Sequence, residues 1–283
     1  MPVAPAACPR GRRRAPGAAA ALAALAAAAG GPAAAAASAL AAGVARRQRR
    51  GGPAARRRAS LVEKLRKKAD REKPALRDFG AAGAAAGDFD LLDMTPSDAA
   101  DMNDLQLEWF PEESYPDGVP WCERLLAHDG VVAIKACLPD DPQRMAMGFA
   151  VVLCTRGAME DFLMKPTVDT LRQELTCKYY IPFDAPSRRE LGYVLSVGLV
   201  GELRGRGLAA ALLRRALGEA QARAPEGVRA FALDVADYNA AAVRYYEREG
   251  FRFVKEQPDT YAGDGRRTHS ANLYAKLVDV PQG

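Results

Sequence analysis

Residues 193–209 join an apolar strand pattern, a glycine-rich turn and the start of a helical pattern in direct succession. The run from Tyr193 to Val200 is apolar and rich in β-branched residues, which predicts a buried strand. The turn at 204–207 follows, and leucine and alanine recur at helical spacing from Leu208 onward. Such a turn binds anions, because its backbone N–H groups and the helix dipole both favour negative charge. The segment therefore predicts an α/β fold in which a strand leads into an anion site.

Two nucleotide-binding motifs are excluded at this turn. No Gly-Lys-Ser/Thr follows, which rules out G-x-x-x-x-G-K-[ST], and Ala210 stands where G-x-G-x-x-G has its last glycine. The residues from Arg204 to Ala209 read R-x-x-G-x-A instead. Taken alone, this pattern indicates either an anion cradle or an ordinary strand-to-helix turn.

Charge is distributed unevenly along the 283 residues. Residues 1–87 hold 18 basic and 4 acidic side chains, so residues 88–283 carry −9 although the whole chain carries +5. The basic balance therefore belongs to the N-terminal segment, and we expect no nucleic-acid binding by residues 88–283. Those 196 residues are enough to bury a sizeable core. We expect no transmembrane segment there, since no apolar run approaches roughly 18 residues.

The cysteine and histidine content argues against a metal site. The 5 cysteines show no C-x-x-C spacing, which argues equally against a disulfide framework. Only His128 and His269 are available as histidine ligands, so we expect no metal centre.

Residues 1–87 are interpreted as a low-complexity leader and linker, and residues 88–283 as the folded domain. A charged start and a short Ala/Leu stretch precede an Arg-rich, acid-free segment at 46–58, which is the composition of organelle transit peptides. Signal-like and transit-like parts in series resemble the bipartite leaders of algae with complex plastids, so a plastid is the favoured location. A mitochondrial presequence and a disordered tail are the alternatives. A short charged helix at 61–75 is expected to be a linker.

The periodicity of residues 88–278 predicts the element order β-α-α-β-β-β-α-β-α-β-β. A hairpin is predicted from the strands at 131–137 and 147–154, and residues 155–190 are predicted to be an insertion with some helix. The last two strands are predicted at 251–255 and 271–277. This order predicts an α/β fold with one mixed, mostly antiparallel central sheet.

This order and two motifs resemble the GNAT family of N-acetyltransferases. R-x-x-G-x-A after the fourth strand is similar to the pyrophosphate loop with which that family binds acetyl-CoA. Residues 239–251 are similar to its N-x-x-A-x-x-x-Y-x-x-x-G-F segment, and they lie about 35 residues further on. The resemblance covers essentially all of 88–278, and it implies a GNAT-type sheet with acetyl-CoA as the co-substrate.

Two further segments are similar to N-terminal acetyltransferases of NatF and NatE type, which modify the α-amino group of proteins. Residues 109–116 resemble their W-F-P-x-x-Y-P substrate loop with one extra residue, and residues 193–198 resemble their Y-I-L-S-L-G strand. The resemblance implies protein or peptide N-termini as substrates, with lysine ε-amines as a further class. The residues that it places around the acceptor are Phe110, Pro111, Tyr115, Tyr193 and, between the last two strands, Tyr261.

The same resemblance implies a set of acetyl-CoA contacts. They are Leu195, Val197, Leu199, Arg204, Gly205, Arg206, Gly207, Leu208, Ala209, Asn239 and Tyr246. Backbone amides near 195–199 are expected to polarise the thioester carbonyl. The two arginines are either phosphate ligands or solvated side chains. Asn239 is a pantetheine contact, a helix-start residue or both.

Tyr193, Asp234 and Tyr246 are the predicted catalytic residues. Tyr193 and Asp234 are expected to remove the amine proton through ordered water, and Tyr246 to protonate the CoA thiolate. The structural alternatives are packing for the two tyrosines, and for Asp234 solvation or a bond to a loop. The NatF and NatE enzymes have L-H-V on the fifth strand where residues 233–235 read L-D-V, and a carboxylate favours an ammonium ground state. Two other functions therefore stay open, a GNAT enzyme for a small amine and a CoA-binding protein without turnover.

Overall fold

The computed structural model of the chain describes residues 53–71, 88–109, 117–163, 165–179, 190–205, 207–224, 227–261 and 269–278. The described residues form one sheet of seven strands. The strands are β1 (Asp90–Asp93), β2 (Val131–Cys137), β3 (Gly148–Leu153), β4 (Glu190–Leu199), β5 (Val228–Ala236), β6 (Arg252–Tyr261) and β7 (His269–Leu277). Their order across the sheet is β1-β2-β3-β4-β5-β7-β6. Neighbours are antiparallel except β4 and β5, which are parallel.

Helices flank this sheet. They are α1 (Pro53–Arg71), α2 (Ala99–Trp109), α3 (Val119–Leu126), α4 (Arg156–Phe162), α5 (Lys165–Tyr179), α6 (Leu208–Arg223) and α7 (Ala240–Arg248). One turn of 3-10 helix at Pro96–Asp98 leads into α2, and its start is fixed by the Thr95 amide, which donates to Oδ2 of Asp98 at 2.9 Å.

The central strands β2 and β3 are buried along their whole length, which explains why their sequences are continuously apolar rather than alternating. Helix α6 packs on β2, β3 and β4 and covers one face. On the other face the ring of Trp109, at the end of α2, lies 5.0 Å from the ring of Phe149. Gly198 of β4 makes this approach possible, since a Cβ there would lie 2.2 Å from the Trp109 ring. The last residue of α2 is thereby held against β4.

The observed elements confirm the predicted α/β class with a mixed, mostly antiparallel sheet. The predicted insertion at 155–190 contains two helices, α4 and α5, which lie between β3 and β4. One detail of the prediction is wrong. Strand β6 continues to Tyr261, whose backbone pairs with His269, so Tyr261 ends a strand instead of lying between the last two strands.

Helix α1 packs against the folded domain through a buried arginine. The Arg58 side chain is only 4% exposed. Its Nε donates to the carbonyl of Ala146 at 3.1 Å, and its Nη2 donates to Oδ1 of Asp101 at 3.0 Å. Leu61 and Val62, one turn further along α1, belong to the same hydrophobic core as the sheet. These contacts attach the first half of α1 to α2 and to the loop between β2 and β3.

The position of α1 differs from the linker that the sequence suggests. The helix begins at Pro53 rather than near 61, and its first half is part of the packed structure. A second ion pair supports this attachment, because Nη2 of Arg57 lies 2.8 Å from the buried Oδ1 of Asp141. The boundary predicted at 87/88 therefore does not separate α1 from the domain in space. The remainder of the predicted leader, residues 1–52 and 72–87, lies outside the described residues.

We expect Arg58→Met to lower the free energy of unfolding by about 3 kcal/mol, because it leaves the Asp101 carboxylate and the Ala146 carbonyl without their buried partner. Arg56→Met is the matched control, since Arg56 lies on the same helix with an exposed side chain. Its effect should stay within about 0.5 kcal/mol. Urea denaturation of the full-length chain measures both values. Equal stability of the two variants would show that α1 does not depend on this contact.

Candidate active site

Strands β4 and β5 separate from one another at Tyr193. Their parallel pairing runs from Glu190 to Tyr193 and ends there, whereas β5 continues its pairing with β7 as far as Ala236. On its other side β4 carries an extra residue, Leu195, because Ser196 and Val194 pair with consecutive residues of β3. A bulge of this kind bends its strand. A wedge therefore opens between β4 and β5, and within the described chain no strand pairs with β4 on this side beyond Tyr193.

Three polar side chains meet where the wedge begins. The hydroxyl of Tyr193 donates to Oδ2 of Asp234 at 3.0 Å, and Nε2 of Gln257 donates to Oδ1 of the same carboxylate at 2.8 Å. Tyr193 is buried, while Asp234 and Gln257 are half-buried. The structure thus brings together two of the predicted catalytic residues. Asp234 is bonded to side chains of two other strands, in contrast to the solvated or loop-bonded alternatives.

Burial raises the pKa of Asp234 from its ordinary value of 3.8 to about 6. The hydrogen bond from Tyr193 and the positive charge of Lys255 act in the opposite direction, since both stabilise the carboxylate. A carboxyl group with this pKa is mostly ionised at neutral pH and still accepts a proton readily. That combination is what a general base requires.

At the far end of β4, the turn before α6 has an open backbone. Gly205 and Gly207 have φ values of +77° and +78°, a conformation that favours glycine. Apart from the flanking residues, no atom of the described chain lies within 4 Å of a Cβ placed on either residue. Gly207 is the N-cap of α6, and no side chain in the described part of the chain caps that helix. The first amides of α6, from Leu208 and Ala209 onward, have no partner within the helix, and an exposed helix start of this kind fits a pyrophosphate group.

The other predicted cofactor contacts lie along the same path. Leu195 and Val197 are half-buried in the divergent part of β4, and Leu199 is buried at its end. Arg204 is exposed beside the turn, where its Nε donates to the carbonyl of Leu199 at 3.4 Å. Arg206 lies outside the described residues.

Helix α7 follows β5, and two of the predicted cofactor contacts, Asn239 and Tyr246, lie at its start and within it. Asn239 caps this helix, because its Oδ1 accepts the amide of Ala242 at 3.1 Å. Tyr246 is half-buried with its ring 5.8 Å from that of Phe251, and burial raises its pKa, so the phenol stays protonated at neutral pH. The neighbouring Tyr245 has a structural contact instead. Its hydroxyl donates to the carbonyl of Ala209 at 2.8 Å and thereby ties α7 to the first turn of α6.

Part of the predicted acceptor site lies outside the described residues, namely Phe110, Pro111 and Tyr115. Tyr261 is described by its backbone alone. The segment that contains the first three follows Trp109 directly, and Trp109 contacts β4 at Gly198.

Three further residues near Asp234 were not predicted from the sequence. Gln257 contacts the carboxylate directly, and Lys255 lies two residues before it on β6. Nζ of Lys255 donates to Oε1 of Glu174 on α5 at 2.6 Å, so the insertion between β3 and β4 reaches this site. The sequence signal was weak. Gln257 falls beyond the predicted end of β6, and the run of three polar residues at 255–257 is also typical of an exposed edge strand.

The described residues contain no group of three or more potential metal ligands, and none of their helices is long and apolar enough to cross a membrane. None of the four cysteines within those residues forms a disulfide. Cys122, Cys137 and Cys154 are buried, and Cys177 is exposed.

The hydrogen bond from Tyr193 stabilises the ionised form of Asp234, so Tyr193→Phe should raise the pKa of Asp234 above about 6. Tyr238→Phe is the control, because Tyr238 is an exposed tyrosine near the same strand. The pKa is measured by NMR titration of ¹³C-labelled aspartate carboxyls, with the Asp234 signal assigned from Asp234→Asn. An unchanged midpoint in Tyr193→Phe would contradict the hydrogen bond.

Comparison with known proteins agrees with this geometry. The sequence pattern of the acetyltransferase (GNAT) family matches residues 93–251. No curated protein sequence matches the chain. Among solved structures, Arabidopsis thaliana NAA60 in complex with acetyl-CoA has a similar fold, with 20% identity, a TM-score of 0.52, and coverage of 67% of this chain and 98% of that one.

Two bacterial structures are more distant. The Escherichia coli ribosomal-protein-S18-alanine N-acetyltransferase is 14% identical with a TM-score of 0.45, covering 68% of this chain and 95% of that one. The Vibrio cholerae spermidine/spermine N-acetyltransferase SpeG is 16% identical with a TM-score of 0.45, covering 69% and 95%. The family pattern covers more than half of the 283 residues and includes both the wedge and the glycine turn. The chain belongs to the GNAT family of acetyltransferases.

Proposed function

We propose that this protein transfers the acetyl group of acetyl-CoA to the α-amino group of protein N-termini, with lysine ε-amines as a further substrate class. The observation that carries the proposal is the hydrogen bond between Tyr193 and Asp234 at the point where β4 and β5 separate. It supplies a proton acceptor at one end of the wedge, and the glycine turn supplies an anion cradle at the other.

The two ends of the site are joined by β4 itself. The six steps from Tyr193 to Leu199 span roughly 20 Å at the rise of a β-strand. The backbone amides along this edge of β4 are available to hydrogen-bond the pantetheine arm of acetyl-CoA, as they would bond a neighbouring strand. Arg204, Gly205, Gly207 and the first amides of α6 would hold the pyrophosphate, and Arg206 is proposed to assist them.

Acetyl-CoA supplies an activated acetyl group as a thioester. The chain's residues handle the two protons of the transfer. Tyr193 accepts a proton from the amine while its own hydroxyl proton passes to Oδ2 of Asp234, so one proton leaves the amine and one reaches the carboxylate. Tyr246, protonated at neutral pH, donates a proton to the departing thiolate. The amides of β4 beyond Tyr193 stabilise negative charge on the carbonyl oxygen.

The choice of a peptide acceptor is supported by the resemblance of residues 109–116 and 193–198 to N-terminal acetyltransferases. The structure supports it further through Trp109, which brings the start of the first segment against β4. In this proposal Phe110, Pro111 and Tyr115 surround the peptide N-terminus from that side, and Tyr261 covers it from the end of β6.

We expect the full-length chain to release CoA from acetyl-CoA with free-N-terminus peptides, more slowly with N-blocked lysine peptides, and least with spermidine. Tyr193→Phe and Asp234→Asn should each lower kcat about 100-fold while acetyl-CoA binding is retained, because both remove the proton acceptor. Tyr238→Phe is the control and should keep full activity. Release with spermidine alone would favour a small-amine enzyme. Acetyl-CoA binding without release from any amine would leave a binding protein without turnover.

We propose an organellar location, with the plastid favoured, and a leader that is removed before Pro53. The buried contacts of Arg58 support this limit, because cleavage within α1 would break them. In this proposal the leader is cleaved between about residue 40 and Pro53. Mass spectrometry of the mature N-terminus in the native organism measures the site, and a mature chain that starts after residue 71 would contradict the proposal.

A further inference from the structure

We infer that Gln257 is a positioning residue for Asp234, and that it fixes which carboxylate oxygen faces Tyr193. The inference rests on the proposed function for its catalytic meaning, but the contact itself is independent of that function. Nε2 of Gln257 donates to Oδ1 of Asp234 at 2.8 Å, while Tyr193 donates to Oδ2 at 3.0 Å. Each oxygen thus has its own donor.

The contact reaches across a whole strand. Asp234 lies on β5 and Gln257 on β6, with β7 between them, so the two backbones are roughly 10 Å apart. On β7 the residues in register with them are Leu273 and Ala271. Ala271 is fully buried, and its small side chain leaves room above β7 that a larger residue at position 271 would fill. A long side chain with a terminal donor is therefore required at position 257, and glutamine meets that requirement.

A neutral donor is the right one for a carboxylate that must accept a proton. A lysine bonded directly to Asp234 would stabilise the ionised form so strongly that the carboxylate would lose basicity. Lys255 lies on the same strand as Gln257, but Nζ of Lys255 is bonded to Glu174 at 2.6 Å. The positive charge therefore acts on Asp234 only from a distance. Gln257 orients the carboxylate without adding a second charge.

The other elements packed around Asp234 contribute few titratable groups. Tyr193 comes from β4, Lys255 from β6, and Glu174 from α5. The residues of β7 in register with Asp234 and Gln257 are apolar. Tyr274, on the opposite face of β7 from Leu273, is bonded to Glu247 of α7 at 3.2 Å. Among the described residues, Gln257 and Tyr193 are thus the side chains whose bonds to the carboxylate hold its plane.

In the proposed reaction the proton from the amine ends on Oδ2 of Asp234. Gln257 remains bonded to Oδ1 throughout, which prevents the carboxyl group from rotating and keeps Oδ2 toward the Tyr193 hydroxyl. No atom of Gln257 touches the substrate. Its loss should therefore lower kcat and shift the pH dependence, and it should leave the KM values for both substrates nearly unchanged.

The test compares Gln257→Met and Gln257→Glu in the full-length chain, with Gln173→Met as the matched control on the exposed face of α5. Met removes the hydrogen-bond donor and keeps the length of the side chain, so the pKa of Asp234 should rise. The acid limb of the pH profile of kcat then moves to higher pH, and kcat at pH 7 falls about tenfold. Glu keeps the shape and places a second carboxylate beside the first. The pair then shares one proton, and the acid limb moves further upward.

A second readout does not depend on activity. The ¹³C carboxyl titration of Asp234 should move to higher pH in both Gln257 variants and stay unchanged in Gln173→Met. If the wild-type chain acetylates peptides while the Gln257 variants match the control in both measurements, the inference is overturned. If the wild-type chain acetylates no amine, the proposed function fails, and the NMR titration alone decides whether Gln257 holds the carboxylate.

Discussion

An extra residue at Leu195 bends β4 so that its pairing with β5 stops after Tyr193. The continuing pairing of β5 with β7 fixes one side of the opening, and the packing of Trp109 on Gly198 fixes the other. Packing and strand pairing hold both sides, so the wedge is built into the sheet itself. The same bend leaves a backbone edge of β4 open between the Tyr193–Asp234 hydrogen bond and the glycine turn, so the two parts of the proposed site lie along one strand.

The anion end depends on backbone conformation and the acceptor end on side chains. At the turn, the positive φ of Gly205 and Gly207 presents amides to open space, and Tyr245 fixes the first turn of α6 to α7. At the other end, burial makes the Asp234 carboxylate costly unless it is hydrogen-bonded, and Tyr193 and Gln257 meet that need. The first arrangement tolerates change in side chains more readily than the second.

The sequence predicted the strand, turn and helix at the glycine end of the site because one continuous segment encodes all three. A strand pattern, two glycines and a helical repeat within residues 193–216 are local signals. It predicted Tyr193 and Asp234 only through a family resemblance. The role of Gln257 could not be predicted, because its contact with Asp234 depends on the register of two strand pairs, β5 with β7 and β7 with β6. The irregularity of β6 after Phe253 changes that register. The burial of Arg58 could not be predicted either, because its partners lie 43 and 88 residues away along the chain and the side chains of an Arg-rich segment are usually solvated.

The aspartate at position 234, where the resemblance to NatF and NatE enzymes implies histidine, acquires a physical explanation from this site. A neutral imidazole needs no compensating charge and titrates near pH 6.5. A carboxylate titrates far lower in water, but burial brings the pKa of Asp234 to about 6, so the two groups accept protons over nearly the same range. Their charges differ, however. The basic form of Asp234 is negative and requires donors on both oxygens, which Tyr193 and Gln257 supply. The residue at 234 and the residue at 257 therefore form one functional unit, and histidine at 234 would use only one of the two donors.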